Sequence, residues 1–183
     1  MAHFGTGVEY ALHCLIWMAK PLQVRASSRD LAELQGVPVP YMAKLFPKLE
    51  KAGIVRATEG IRGGYVLARP ANRITVLDVV DAVEGEKPLF DCQEIRDRCV
   101  LFESQPPAWA TKGVCGIHAV MLRAEKQMRA ELAATTLADL AKGVAQKEPA
   151  RFGHDVVEWF DARADARDHA RLHGIKNRGG KRQ

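Results

Sequence analysis

A mostly α-helical fold carrying one small β-hairpin is predicted by three observations. Apolar residues recur at helical spacing in several capped segments, and two of these are short and separated by a tight turn at Gly36. A glycine-rich stretch that reads as strand, turn, strand, "GIVRATEGIRGGYVLARP", follows that pair directly. Further along, beyond a loop rich in cysteine, one long helix carries an apolar seam.

The elements can be justified in order. Over Thr6 to Lys20, Val8, Leu12, Leu15, Ile16 and Ala19 recur at helical spacing, and Pro21 stops the run. Ser27 caps the next helix with Asp30 as its partner three residues on, and Gly36 ends it. Pro40 suits the first turn of a third helix, where a missing N–H costs nothing. Met42, Leu45, Leu49 and Ala52 share its apolar face, and Gly53 ends it. Pro47 lies inside this helix and removes a backbone bond, which predicts an early end or a bend. Ile54 to Thr58 pairs with Tyr65 to Ala68, with Gly60, Gly63 and Gly64 in the turn. Two short helices, a tight turn and a hairpin behind them make a winged helix-turn-helix.

Thr75 and Asp78 cap a further helix, apolar at Leu77, Val80 and Val83 and ended by Gly85. From Gly116 a long helix runs to about Thr135. Its stripe of Ile117, Met121, Ala124, Met128 and Leu132 is close to a heptad seam and predicts pairing with a second copy of the chain; packing on its own domain is the alternative. Thr136 to Val144 reads as a short helix and Gly143 to Gly153 as a linker. The following segment is apolar at Val156, Val157, Trp159 and Phe160 and then polar on all sides. The last ten residues carry four basic groups and no acid, which predicts disorder. The divisions are therefore 1–86 for the winged helix-turn-helix domain, 87–116 for the cysteine loop, 117–145 for a dimerisation helix region and 146–183 for a C-terminal extension.

The bulk numbers set the class of partner. The chain has 183 residues, 47% of them hydrophobic, which suits one domain or a small domain with an added arm. A net charge of +5 and a pI near 9.1 point to an anionic partner, nucleic acid first, with a merely soluble basic protein as the equal alternative. No apolar run approaches the roughly 20 residues of a membrane helix, and the N-terminal segment lacks the pattern of a signal peptide. The expected location is cytoplasmic, where clustered cysteines serve metal or redox chemistry rather than a disulfide frame. There is no dinucleotide fingerprint and no second cofactor site, which argues against a redox enzyme.

A recognition helix must present polar side chains away from its core stripe. The third helix offers Pro40, Tyr41, Lys44, Lys48 and Lys51. Tyr41 and Lys44, nearer its start, are expected at base edges, and Lys48 and Lys51 at phosphates. Arg62 stands among glycines at the wing tip, suited to a narrow minor groove. Ser28 and Arg29 open the scaffold helix and suit phosphate contacts. The alternative for the lysines is a solvated face.

Cys92, Cys99 and Cys115 are separated by six and fifteen residues, with none of the close pairs that structural zinc favours. An ordinary iron–sulfur cluster takes four thiolates, so this loop alone cannot complete one with cysteine. His118, three residues after Cys115, is one further donor. Glu9 and His13 are another source: at i and i+4 they share a helix face, with Cβ atoms roughly 5–6 Å apart, although such a pair is usually only a solvated face. Cys14 points about 100° away from His13 and reads as a core thiol.

The run "LAELQGVPVPYMAKLFPKLEKAGIVRATEGIRGGYVLARPANRITVLDVVDAVEG", followed by a cysteine loop and a long helix, resembles a known family. It is similar to the winged-helix iron–sulfur transcriptional regulators of the IscR/NsrR/RsrR type. The resemblance covers about Gly5 to Leu140, and its most specific pieces are "LEKAGIV", "GGYVLARP" and "ITVLDVVDAVEG". The opening "GVEYALH" looks most like the redox-sensing RsrR branch. That resemblance implies a 2Fe–2S cluster held by Glu9 and His13 of one subunit and Cys92 and Cys115 of the other. The nitric-oxide-sensing branch would instead use three cysteines, Cys99 included, with Glu9, and the iron–sulfur-regulator branch would use His118 as fourth ligand. The implied function is a homodimer on a palindromic operator in double-stranded DNA, repressor or dual regulator, whose affinity follows the redox state or integrity of the cluster. A cluster-free or zinc-bound regulator that senses a metabolite or a partner protein is the alternative. The extension from about Ala145 lies outside the resemblance.

Overall fold

The computed structural model describes residues 3–19, 26–60 and 63–179. Its elements are mostly helical, with one antiparallel hairpin, and they form two compact units, Met1–Gly85 with Ala133–Gln183, and Glu86–Leu132.

The first unit is built around α1 (Thr6–Ala19), which buries Val8, Ala11, Cys14, Leu15, Ile16 and Met18. Burial pushes the Cys14 thiol up to about 12, so it stays protonated in the core. Helix α2 (Ser28–Gln35) opens on Ser27, whose Oγ accepts from the Asp30 N–H at 3.0 Å and donates to its Oδ2 at 2.7 Å. It stops at Gly36, whose φ of 69° is the left-handed value a helix terminator needs. Helix α3 (Val39–Lys51) follows and buries Met42, Leu45, Phe46 and Leu49.

Two details of α3 differ from the sequence reading. Phe46 completes the buried face in place of Ala52, which is exposed at the helix end. The helix also neither ends nor breaks at Pro47. Pro47 and Ala43, whose carbonyl it leaves without a helical partner, are both on the exposed side, while Phe46 and Leu49 hold the turn in the core.

Strands β1 (Val55–Thr58) and β2 (Gly64–Leu67) pair antiparallel, Val55 opposite Leu67 and Thr58 opposite Gly64. The far edge of β2 pairs with Ala26: Tyr65 N–H donates to the Ala26 carbonyl at 2.9 Å. Gly64 permits that approach, because a Cβ there would lie 2.8 Å from the same oxygen. The Tyr65 ring meets Phe46 with centroids 4.7 Å apart, and Glu50 accepts the Ala57 N–H at 2.7 Å, so α3 and the wing are fastened together.

Helix α4 (Val76–Glu84) carries the expected capping box of Thr75 and Asp78. Its buried stripe is Val76, Val79, Val80 and Val83, and Leu77 is only half-buried. Packing against both α1 and α3 sets the stripe's centre here, beyond what one-sided periodicity can resolve.

The second unit holds α5 (Ala108–Thr111), two 3₁₀ turns, and most of α6 (Gly116–Ala134), no residue of which is buried. The chain then rejoins the first unit. Val76 N–H donates to the Thr135 carbonyl and Leu137 N–H to the Ile74 carbonyl, both at 2.9 Å. Helix α7 (Leu137–Ala145), capped by Thr136 and Asp139, buries Leu137 and Ala141 and packs on α1.

Helix α8 (Phe152–Gly179) begins sooner than the expected linker allowed, since α7 absorbs Gly143 and only a short turn separates the two. Phe152 meets the Trp17 ring at 5.8 Å, Val156 and Phe160 are buried, Arg163 pairs with Glu33 at 2.6 Å, and Arg167 pairs with Asp30. The disorder expected of the last ten residues falls, for 180–183, outside the described residues; the backbone before them belongs to α8. No helix among the described residues is long and apolar enough to cross a membrane.

Candidate nucleic-acid interface and metal centre

The outward face of α3 presents Pro40, Tyr41, Lys44, Lys48 and Lys51, all exposed. Their surroundings differ. Lys44 projects from the middle of the face. Tyr41 lies along α1, with its ring edge-on to Tyr10 at 5.7 Å and its hydroxyl over Gly7, where a Cβ would sit 2.6 Å from it. Lys48 Nζ donates to the Val83 carbonyl at 2.9 Å. That carbonyl belongs to the last turn of α4, where helix carbonyls gather partial negative charge. Lys48 and Lys51 line an open cleft of about 530 Å³ with Asp81 and Glu84.

At α2, Ser28 is half-buried in the first turn. Arg29 is 75% exposed and pairs with Glu33 at 3.0 Å. Arg62, at the wing tip, lies outside the described residues.

In the second unit, Cys92, Glu94 and His118 each turn a ligand atom inward, all within 4.8 Å of one another. Glu94 takes the left-handed conformation, φ 45°, and this bends the chain so that its carboxylate meets the Cys92 thiol, whose Sγ donates to Oε1 at 3.5 Å. Arg96 grips the other oxygen with Nη2 at 2.6 Å and Nε at 3.0 Å. These two contacts, Arg96 first, hold the Glu94 carboxyl below its ordinary value. The Arg96 guanidinium is raised in turn, by Glu94 first and to a lesser degree by Cys115 and Cys92.

His118 stands in the first turn of α6 with its ring 6.2 Å from Phe90. Cys115 is half-buried just before that turn, and its carbonyl accepts the Ala119 N–H at 2.8 Å. Cys99 is exposed between the two 3₁₀ turns, and all four cysteines are free. Glu9 and His13 are both exposed on α1, one turn apart, in the first unit.

The structure thus groups Cys92 with His118 and adds Glu94, which sequence reasoning passed over. The usable signal was a carboxylate two residues after a cysteine, with a basic residue two further on, in a stretch without helical period. Thiolate, imidazole and carboxylate together suit iron or zinc rather than magnesium or calcium, so the donors present fit an iron–sulfur cluster or a zinc ion.

Two short helices, a wing fastened to the second of them and a lysine-bearing outer face define a winged-helix DNA-binding transcriptional regulator. The comparisons carry this to a family. The profile of the Rrf2 family, described as an iron-dependent transcriptional regulator, matches residues 4–143, and the chain belongs to that family. It is 36% identical over 116 residues to protein rrf2 of Nitratidesulfovibrio vulgaris, covering 63% of this chain and 71% of that one. It is 40% identical over 83 residues to the HTH-type transcriptional regulator IscR of Cereibacter sphaeroides, 44% of this chain and 54% of the relative. Among solved structures, IscR of T. potens superposes with a TM-score of 0.60 at 25% identity, covering 81% of this chain and 93% of its own. CymR, named as the global cysteine regulator of B. subtilis, gives 0.58 at 24% identity over 78% and 98%, a likeness of fold alone. These relatives are transcription regulators rather than enzymes.

Proposed function

We propose that the chain works as a homodimer on a two-fold-symmetric operator, and that a 2Fe–2S cluster sets its affinity for DNA. The observation that carries the cluster is the convergence of Cys92 and Glu94 of the loop with His118 of the first turn of α6, with Cys115 one residue before that helix. In this reading Cys92 and Cys115 hold one iron, and Glu9 and His13 of the other subunit hold the second, as the likeness of "GVEYALH" to the redox-sensing branch suggests. The exposure of both Glu9 and His13 supports it, since neither is committed to the core. When bound, the cluster would supply a reversible one-electron change. The protein's part is to hold the thiols, keep Glu94 charged beside them, and present Lys44 to the groove with Tyr41, Lys51, Ser28 and Arg29 around it. Redox control requires that the two cluster states differ in affinity for DNA, because a cofactor indifferent to conformation shifts nothing.

A second ligand set is favoured by the 4.8 Å grouping itself: His118, with Glu94, in place of the α1 pair. Zinc in the same loop, or a cluster-free regulator, completes the alternatives. Anaerobic purification with iron, sulfide and zinc analysis separates them. The proposal expects a coloured protein that bleaches with dithionite, with colour lost in His13→Ala and kept in His118→Ala. The reverse pattern moves the second iron to the loop. A colourless chain that takes up no iron on reconstitution ends the cluster reading.

The dimer is supported by α6. Ile117 and Val120 are exposed, and Met121, Met128 and Leu132 are only half-buried, so the described residues do not bury the apolar side of α6.

A further inference from the structure

The matched family region ends at residue 143, and α8 lies beyond it, yet α8 is docked on the helix that opens the helix-turn-helix. Phe152 packs on Trp17, whose indole N–H donates to Gln35 at the end of α2. Val156 and Phe160 are buried farther along α8. Two arginines then reach the acids of α2: Arg163 meets Glu33 at 2.6 Å, and one turn later Arg167 meets Asp30.

These pairs change the charge of α2. Taken alone, that helix carries one base, Arg29, and two acids, Asp30 and Glu33, a balance that repels phosphate. With Arg163 and Arg167 docked, both acids are neutralised and Arg29 stands in excess.

Glu33 is the centre of this exchange because it faces two arginines at once. Its Oε1 accepts from Arg29 Nε at 3.0 Å, and its Oε2 meets Arg163 Nη1 at 2.6 Å. The two claims on it are unequal. Arg163 is 41% exposed, and its guanidinium is stacked over the Trp159 ring at 4.3 Å. Arg29 is 75% exposed and holds the longer contact, an i, i+4 surface pair of the kind that is worth little in water. When Arg29 swings to a phosphate, Glu33 therefore keeps a partner. Without Arg163 the same movement would strand a half-buried carboxylate beside an approaching anion.

We infer that Arg163 is a positioning residue for DNA binding: by holding one oxygen of Glu33 it frees Arg29 for a backbone phosphate at the start of α2. The inference rests on the DNA-binding reading, with Arg29 as a phosphate contact, and deepens it by giving the C-terminal extension a part in that contact. Such a contact adds affinity without sequence information, because phosphates are the same at every base pair.

The test uses the full chain, a duplex that it selects from a random pool, and the slope of log K against log salt. Arg29→Gln should make the slope shallower by about 0.9 per subunit, the loss of one phosphate contact. Arg163→Gln should move the slope in the same direction and by a similar amount, because Glu33 then holds Arg29. A loosened α8 would also weaken binding, so a double variant separates the two causes. Arg163→Gln with Glu33→Gln leaves the α8 pair broken but removes the acid that captures Arg29, and its slope and affinity should return to those of the parent. A double variant as weak as Arg163→Gln alone overturns the inference, as does a parent-like slope in Arg163→Gln. If Arg29→Gln binds as the parent does, Arg29 touches no phosphate, and that part of the reading fails together with the inference. If the parent selects no duplex at all, the DNA-binding reading itself fails.

Discussion

Asp30 is joined to Arg167 across 137 positions of sequence while its other contacts, to Ser27, close the first turn of α2. One carboxylate thus serves a local cap and the docking of the last helix. Removing the guanidinium leaves a buried charge with only a serine beside it, whereas Asp30→Asn keeps much of the cap. Because Arg167 is itself partly exposed, Arg167→Ala should cost about 1–3 kcal/mol in urea unfolding, less than for a fully buried pair. Asp30→Asn should cost less than Arg167→Ala, and equal losses would show that the charge left behind is not the cause.

Lys44 and Lys48 should separate in their effects. Lys44→Ala should weaken operator binding in a gel shift while leaving the melting temperature unchanged. Lys48→Ala removes the bond to the Val83 carbonyl and should lower stability by about 0.5–1 kcal/mol. A Lys44 variant that binds as the parent does would remove this residue from the groove.

Gly64→Ala should loosen the wing. The added Cβ meets main-chain atoms of Ala26, which cannot swing aside as a side-chain tip would. A loss of about 1–3 kcal/mol is expected, together with weaker operator binding because the wing shifts. Ala at Gly36 or Gly53, where a Cβ meets nothing but φ is positive, makes a control for backbone strain alone.

Cys14 gives an alkaline signature. Its folded value of about 12 lies above the ordinary 9.0, so the fold favours the protonated thiol. The resulting stabilisation is fully present below pH 9.0 and is lost as pH rises from there toward 12, as the unfolded chain ionises first. Urea midpoints of the parent should fall faster than those of Cys14→Ala over that window. At neutral pH iodoacetamide should label Cys99 in the folded metal-free chain and reach Cys14 only on unfolding.

Met128→Glu places a charge in the α6 stripe without touching the winged-helix core. Sedimentation should show a monomer, and operator affinity should collapse, because two half-sites are then no longer bound together. A dimer that survives the change would put the interface elsewhere.

Local chemistry was legible in the sequence where its partners were near in the chain. Ser27 with Asp30, Thr75 with Asp78, and the glycine-bearing hairpin are written within a few residues and appear as read, save that Gly64 opens β2 rather than lying in the turn. Val80 and Val83 of the α4 stripe are buried as read, but that Val76 and Val79 rather than Leu77 complete it was not legible, because two packing helices decide it. Nor was the bond between Arg167 and Asp30, since no periodicity encodes a pairing at that separation. Glu94 was missed for another reason: the spacing of Cys92, Glu94 and Arg96 was the one signal in the sequence, and it takes the left-handed backbone of an irregular loop to turn the side chain toward Cys92.

The position of Cys115 has a mechanical consequence. Its carbonyl closes the first hydrogen bond of α6 with the Ala119 N–H, so its sulfur and the helix that carries the apolar stripe hang from one backbone unit. A displacement of the Cys115 backbone must break this bond or be passed on to the first turn of α6. The residue that carries the thiol thus anchors the start of the helix that bears the apolar stripe.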